Sequence, residues 1–248
     1  CQRGDWKLHK AKCKRLTEVV VDTDVQNRLR SGALKRRLKT LGKGTVILTI
    51  RDPDITTIGD VNLTVERGGE APLIGCESLL RVDLKGCTKL TSVGNGVFAG
   101  CFYLTSLVLP DSLTQLGEWS FLQCERLTSL MLPDSLTQIG DSAFYQCDSL
   151  TSVVFPDSLT QIGKLAFQDC TSLTSVVLPD SAELGVYVFD ECDALVQKAA
   201  LAGFDSVEPY LRDRYKSITL KKLVLRLLRR YNKAVNYADG TEAEKHAS

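Results

Sequence analysis

The chain repeats itself every 23 residues, and this period restricts its fold more than any other feature of the sequence. Three residue types recur strictly at that spacing, and glycine largely follows them. The columns are Cys101, Cys124, Cys147 and Cys170; Phe98, Phe121, Phe144 and Phe167; Pro110, Pro133, Pro156 and Pro179; and Gly94, Gly117, Gly140 and Gly163. A unit this short cannot enclose its own apolar residues, so consecutive units must stack to bury them. The period therefore predicts a solenoid whose ends need covering.

Each unit predicts one short strand. The run L-T-S-L-V-L that starts at Leu104 alternates apolar and small polar residues, and a Pro-Asp-Ser turn ends it. Stacked units would place such strands about 4.8 Å apart in a parallel ladder of right-handed coils. A second apolar run, such as Leu159 with Ile162, is expected to fill the opposite wall. Gly163 is expected to adopt a positive φ before the short helical turn that carries Phe167.

The units resemble the BspA-like class of leucine-rich repeats, whose signature I-G-x-x-A-F-x-x-C they carry. The resemblance extends over residues 73–196, about half of the chain, and it implies a leucine-rich-repeat solenoid. Each cysteine follows a phenylalanine by three residues, so we predict that it faces the core as a small apolar side chain. A metal array or a disulfide ladder is the alternative, although stacked Cβ vectors run parallel and do not meet.

One face of the predicted ladder is a hypothetical partner-binding surface. Residues that alternate with the buried leucines point outward and form a stripe of hydroxyls beside an apolar stripe. They are Ser106 and Val108, Ser129 and Met131, Ser152 and Val154, and Ser175 and Val177. Such a stripe suits an extended peptide or a protein surface better than a phosphate.

The first 13 residues predict part of a zinc site. Cys1, His9 and Cys13 have the spacing C-x7-H-x3-C, and a His and a Cys four residues apart on a helix share one face. The run closely resembles the C-terminal half of a MYND-type zinc finger. The resemblance implies that His9 and Cys13 serve one zinc ion and Cys1 a second, that five further ligands lie upstream, and that the finger binds short peptides. Zinc affinity of the half finger alone is expected to be poor.

The other segments have weaker patterns. Residues 14–43 are basic and predict an amphipathic helix from Val25 to Leu41, and residues 44–72 contain T-V-I-L-T-I and V-N-L-T-V, which predict a β-rich N-terminal cap. Residues 197–237 predict two helices. The first begins at a capping box, Asp205 to Glu208, and the second carries an apolar face from Leu220 to Tyr231. That face is expected to cover the end of the solenoid or to dock another protein. Residues 238–248 form a flexible tail.

The sequence contains no recognisable catalytic constellation. Its two histidines are His9 and His246, so a histidine-based triad within the repeats is impossible, and no phosphate-binding loop motif occurs. The aspartate column Asp111, Asp134, Asp157 and Asp180 is expected to cap turns, with a calcium cluster as the alternative. No run of apolar residues is long enough to span a membrane.

These observations predict a non-enzymatic scaffold that binds other proteins or peptides in the cytoplasm or nucleus and does not contact membranes. The formal net charge is +1, but lysine and arginine crowd both ends of the chain. Nucleic acid or another polyanion is therefore the alternative partner, and its binding would weaken steeply with salt.

Overall fold

The computed structural model describes residues 17–21, 38, 43, 46–59 and 73–214. Thirteen short strands and two helices lie in this part of the chain. The strands are β1 (Thr17–Val21), β2 (Val46–Ile50), β3 (Thr57–Ile58), β4 (Leu79–Asp83), β5 (Ser92–Val93), β6 (Ser106–Val108), β7 (Gln115–Leu116), β8 (Leu130–Met131), β9 (Gln138–Ile139), β10 (Ser152–Val154), β11 (Gln161–Ile162), β12 (Ser175–Val177) and β13 (Glu183–Leu184). The helices are α1 (Asp193–Leu201) and α2 (Val207–Arg214).

Two parallel ladders run along the solenoid, one on each of two sides of the coil. The first ladder has the order β1-β2-β4-β6 and continues with β8-β10-β12, and the second has the order β3-β5-β7-β9-β11-β13. Each step moves by one repeat, so that Ser152 pairs with Ser175 and Gln138 with Gln161. A fixed repeat length keeps equivalent residues in register, and the predicted parallel ladder is confirmed.

A third side of the coil is also hydrogen-bonded, although it contains no strand. The Phe121 amide donates to the Ala143 carbonyl at 2.8 Å, and the Phe144 amide donates to the Ala166 carbonyl at 2.8 Å. Amides two residues before and after each phenylalanine donate to the next coil in the same way. The coil is thus joined to its neighbours on three sides, which satisfies backbone groups that burial would otherwise leave without partners.

The core between the three sides contains stacked columns of identical residues. Phe98, Phe121, Phe144 and Phe167 are fully buried, and their ring centroids lie 5.1 to 5.3 Å apart with nearly parallel planes. The seven cysteines of the described residues are buried and form no disulfide. From Cys87 onward, each thiol donates to a carbonyl of the preceding coil, as Cys147 does to Phe121 at 3.5 Å. The prediction that these cysteines are structural core residues is confirmed.

The predicted role of Gly163 was wrong. Its φ is not positive, and the residues in the left-handed region lie two and six positions later, at Leu165 (φ 59°) and Asp169 (φ 61°). The glycine column instead allows the backbones of consecutive coils to approach each other closely. A Cβ at Gly140 would lie 2.6 Å from the Gly117 carbonyl carbon, and at Gly163 it would lie 2.6 Å from the Gly140 carbonyl carbon. Consecutive coils touch here through their backbones, which leaves no room for a side chain.

The ends of the solenoid differ in part from the sequence-based prediction. Residues 17–21 form a strand within the stretch predicted to be a helix or linker, because Val19 and Val21 are buried when β1 extends the first ladder beside β2. The predicted strand at Val46–Ile50 is present as β2, but it continues the ladder and is not a separate cap layer. Helix α1 was not predicted, and it begins at Asp193, inside the range assigned to the repeats.

Other predictions lie mostly outside the described residues. Helix α2 begins at Val207, within the predicted capping box. Of the helix predicted from Val25 to Leu41, the structure describes Leu38, which is helical and fully buried. The second predicted strand of the cap, the helix with the Leu220 to Tyr231 face and the tail all fall outside the described ranges.

The close approach at the glycine column generates a stability prediction. Replacing Gly140 by alanine is expected to lower the free energy of unfolding by about 1–3 kcal/mol, because backbone must move to admit the methyl group. Urea denaturation of the full chain measures the change. The control is Ser149→Ala, which changes a half-buried residue of the same repeat. If Gly140→Ala is as stable as the control, the contact between coils is looser than described.

Candidate protein-binding face

The outer face of the first ladder presents the residues predicted to bind a partner. Ser106 and Val108 flank Leu107, which is 4% exposed, and Ser152 and Val154 flank Val153, which is 1% exposed. Because neighbouring strands are in register, the outward residues form two rows. We call them the hydroxyl row (Ser106, Ser129, Ser152 and Ser175) and the apolar row (Val108, Met131, Val154 and Val177).

The accessible part of the apolar row is shorter than predicted. Val108, Met131 and Val154 are half-buried, whereas Val177 is fully buried. Val177 lies on the last strand of the ladder, and α1 reaches that end of it, where Lys198 Nζ donates to the Thr174 carbonyl at 2.9 Å. The prediction that Val177 is accessible to a partner was therefore wrong. Three residues of the apolar row can meet a partner.

The same face continues onto strands that the sequence analysis did not include. The register places Arg81 next to Ser106, and Asp83 next to Val108. Arg81 and Asp83 are both half-buried, and their charged groups lie 3.7 Å apart. On β1, Val20 is exposed in line with the apolar row. The alternation in T-E-V-V-V and L-L-R-V-D was the signal that could have revealed these residues.

A row of threonines borders the face and has its hydroxyl groups engaged. Thr105 donates to the Leu80 carbonyl at 3.0 Å, Thr151 to the Thr128 carbonyl at 3.4 Å, and Thr174 to the Thr151 carbonyl at 3.2 Å. These bonds add to the ladder and leave the hydroxyl hydrogens unavailable to a ligand. Strands β6 to β12 carry no charged side chain on this face. These strands therefore offer a partner hydroxyl and apolar groups.

Metal sites are not found in the described part of the chain. No group of three or more His, Cys, Asp or Glu residues there could hold an ion, so the alternative of a calcium cluster in the aspartate column has no support. Asp111, Asp134, Asp157 and Asp180 are exposed. The predicted zinc ligands Cys1, His9 and Cys13 lie outside the described residues.

The buried thiols are poor metal ligands and poor nucleophiles. Burial raises the pKa of the Cys87 thiol to about 11 and that of Cys192 to about 12. For Cys124, Cys147 and Cys170, burial raises the pKa well above its ordinary value, and the neighbouring thiols add to the effect. Because thiolate is the reactive and metal-binding form, these cysteines stay inert at neutral pH.

The comparisons with known proteins agree with this architecture. Stacked parallel coils, each with a buried leucine or valine column, define a leucine-rich-repeat solenoid. Six copies of the BspA type leucine-rich repeat region match residues 74–197, and the chain belongs to that family. The comparison with curated proteins found no match. Neither α1 nor α2, the two helices of the described residues, is long and apolar enough to cross a membrane.

Two solved structures are similar to the chain. A leucine-rich-repeat protein from T. pallidum is 26% identical with a TM-score of 0.52, and the match covers 77% of this chain and 92% of that one. A leucine-rich cell surface protein from Faecalibacterium prausnitzii is 29% identical with a TM-score of 0.49, and the match covers 60% of this chain and 36% of that one.

The raised thiol pKa values predict a loss of stability in alkali. A group whose pKa is higher in the folded than in the unfolded chain stabilises the fold below its unfolded pKa of about 8.5, and this contribution is lost as the pH rises towards the folded value. We expect wild type to be more stable than Cys147→Ala at pH 7, and the difference to shrink between pH 8.5 and pH 11. Urea midpoints at each pH measure it.

Wild type and Cys147→Ala share every other group that titrates in alkali. The difference between their stabilities therefore reports the Cys147 thiol alone. A difference in stability that stays constant over the same pH range would contradict the assignment of a protonated, buried thiol at Cys147.

Proposed function

We propose that this protein is a non-catalytic scaffold that binds another protein on the outer face of the first ladder. The observation that carries the proposal is the pairing of two accessible rows, hydroxyl and apolar, on strands that carry no charge on this face. Val108, Met131 and Val154 offer apolar surface to a partner. The serines beside them offer hydroxyl groups that can donate to and accept from a polypeptide backbone.

The construction of the coil supports recognition without rearrangement. The ladder strands are held by backbone bonds on both sides, and the stacked phenylalanines fill the space behind them. A rigid face loses little conformational freedom on binding, so more of the contact energy appears as affinity. Leucine-rich-repeat proteins use extended surfaces of this kind, which follow from the small rotation between repeats.

Nothing in the described residues favours the alternative, a polyanion-binding protein. The cation on the ladder face, Arg81, is paired with Asp83. Of the basic clusters that motivated the alternative, the lysines and arginines of residues 7–15 and 28–39 and most of those from Arg212 to Lys233 lie outside the described ranges, and Arg212 is paired with Glu208. The two functions differ in a simple measurement. Affinity for a polyanion falls steeply between 50 and 200 mM salt, whereas docking on a neutral face does not.

If the partner binds on the outer face of the first ladder, two lysines introduced there should weaken binding. In Met131→Lys with Val154→Lys, partner binding by the full chain is expected to weaken at least about tenfold, because burying an unpaired ammonium against an apolar surface costs well over 1.4 kcal/mol. Affinity capture followed by quantitative mass spectrometry identifies the partner, and calorimetry gives its Kd for wild type and variant.

The matched control is Gln138→Lys with Gln161→Lys. It adds the same charge to the same two repeats on the second ladder, where both glutamines are exposed. Equal loss in both variants would point to a general charge effect, and unchanged binding in the Met131 and Val154 variant would place the partner elsewhere.

We also propose a second module, a MYND-type zinc finger to which Cys1, His9 and Cys13 would contribute ligands. The proposed location of the protein is the cytoplasm or nucleus. The finger would bind peptides of other proteins in a zinc-dependent way. In the protein with a complete finger, a chelator is expected to release partners held by the finger and to leave those on the ladder face bound. The solenoid should keep its melting temperature, because its described residues hold no metal-binding group. Retention of every partner on chelation would contradict the zinc-dependent module.

A further inference from the structure

The third side of the solenoid ends in backbone donors that have no acceptor among the described residues. In the coil before last, the amides of Leu165, Phe167 and Asp169 donate to the carbonyls of the last coil at 3.0, 3.0 and 2.9 Å. The equivalent amides of the last coil are those of Tyr187, Phe189 and Glu191. None of these three amides donates to a residue of the described ranges. They alternate along the backbone and therefore form an open edge, like that of a sheet.

The two ladders end differently from the third side, because side chains from the helices cap both of them. Lys198 on α1 donates to the Thr174 carbonyl at the end of the first ladder. Arg212 on α2 donates to the Ala182 carbonyl at the end of the second ladder at 3.2 Å. Glu208 holds Arg212 in place at 2.8 Å. Among the described residues, the helices thus cap the ends of the two ladders but not the end of the third side.

A groove with a volume of about 330 Å³ lies beside this open edge, between the last coil and the two helices. Its apolar lining includes Phe189 and Phe204, and Tyr187 and Val196 are 65% and 44% exposed. Asp190 and Asp205 also line the groove, and no lysine or arginine does. Glu208 lines it as well, but its carboxylate is paired with Arg212. An apolar groove with an anionic lining selects for apolar side chains next to positive charge.

We propose that this edge and groove bind an extended, basic segment of a partner protein, at a site separate from the ladder face. Alternate carbonyls of the segment accept hydrogen bonds from Tyr187, Phe189 and Glu191, as the next coil does along the rest of the solenoid. One apolar side chain of the segment enters the groove, and its lysines or arginines pair with Asp190 and Asp205. Backbone bonds give such strand addition its affinity, and the groove gives it specificity.

The experiment uses the full chain and two synthetic peptides with blocked ends. One peptide alternates lysine and valine over seven residues, and the other replaces every lysine by glutamate. Amide hydrogen exchange measured by NMR reports each donor separately. The lysine peptide is expected to slow exchange of Tyr187, Phe189 and Glu191 at least tenfold. Asp190, whose amide already donates to the Tyr187 carbonyl at 3.3 Å, is expected to stay unchanged.

Two variants distinguish binding of the peptide in this groove from nonspecific electrostatic attraction to the protein. Val196→Lys places a positive charge in the groove and is expected to weaken binding of the lysine peptide at least tenfold. Gln161→Lys, on the exposed second ladder, adds the same charge away from the groove and is expected to leave binding unchanged.

Four results would overturn the proposal. They are failure of the lysine peptide to bind at millimolar concentration, equal binding of the glutamate peptide, equal loss in the two variants, and slow exchange of all three amides in the free chain. The last result would mean that another segment of this chain already occupies the edge.

Discussion

The spacing between hydrogen-bonded coils is the constraint on which the rest of this structure depends. Parallel neighbours in a ladder lie about 4.8 Å apart, and here that spacing applies on three sides of the coil at once. It brings backbone against backbone at Gly117, Gly140 and Gly163, where a Cβ would lie 2.7 Å or less from a backbone atom of the preceding coil. It also sets the separation of the phenylalanine rings, which stack at 5.1 to 5.3 Å.

The same spacing explains why so many side chains donate to the coil before their own. A short side chain can reach the carbonyl of the preceding coil, as the hydroxyl of Thr160 does at 3.0 Å and that of Ser158 does at 2.7 Å. The thiol of Cys170 does the same in the core at 3.3 Å. Each such bond is modest, on the order of 1 kcal/mol, but identical repeats add one for every coil. Cysteine is suited to its position because it is small, apolar and still able to donate.

The two proposed binding sites follow from the two ways in which a solenoid exposes its backbone and side chains. Along its length the ladders are satisfied, so recognition depends on outward side chains such as Met131 and Val154. At its end, the edge of the last coil has donors that a following coil would have used, at Tyr187, Phe189 and Glu191. The first site is neutral, whereas the second is lined by Asp190 and Asp205. Partners of different charge therefore suit them.

The sequence alone determined the repeat, the ladder and the burial of the cysteine and phenylalanine columns, because a period of 23 residues leaves each unit no way to bury its apolar residues except against the next. It could not show that Val177 is buried, because the residues around Val177 repeat those around Val154. It also assigned the positive φ to the wrong residue, because Leu165 has a side chain that disfavours that conformation. Only the stacked structure decided these points. A residue's accessibility and the strain it accepts depend on the neighbouring coils and on the elements that close the ends, and no local pattern records them.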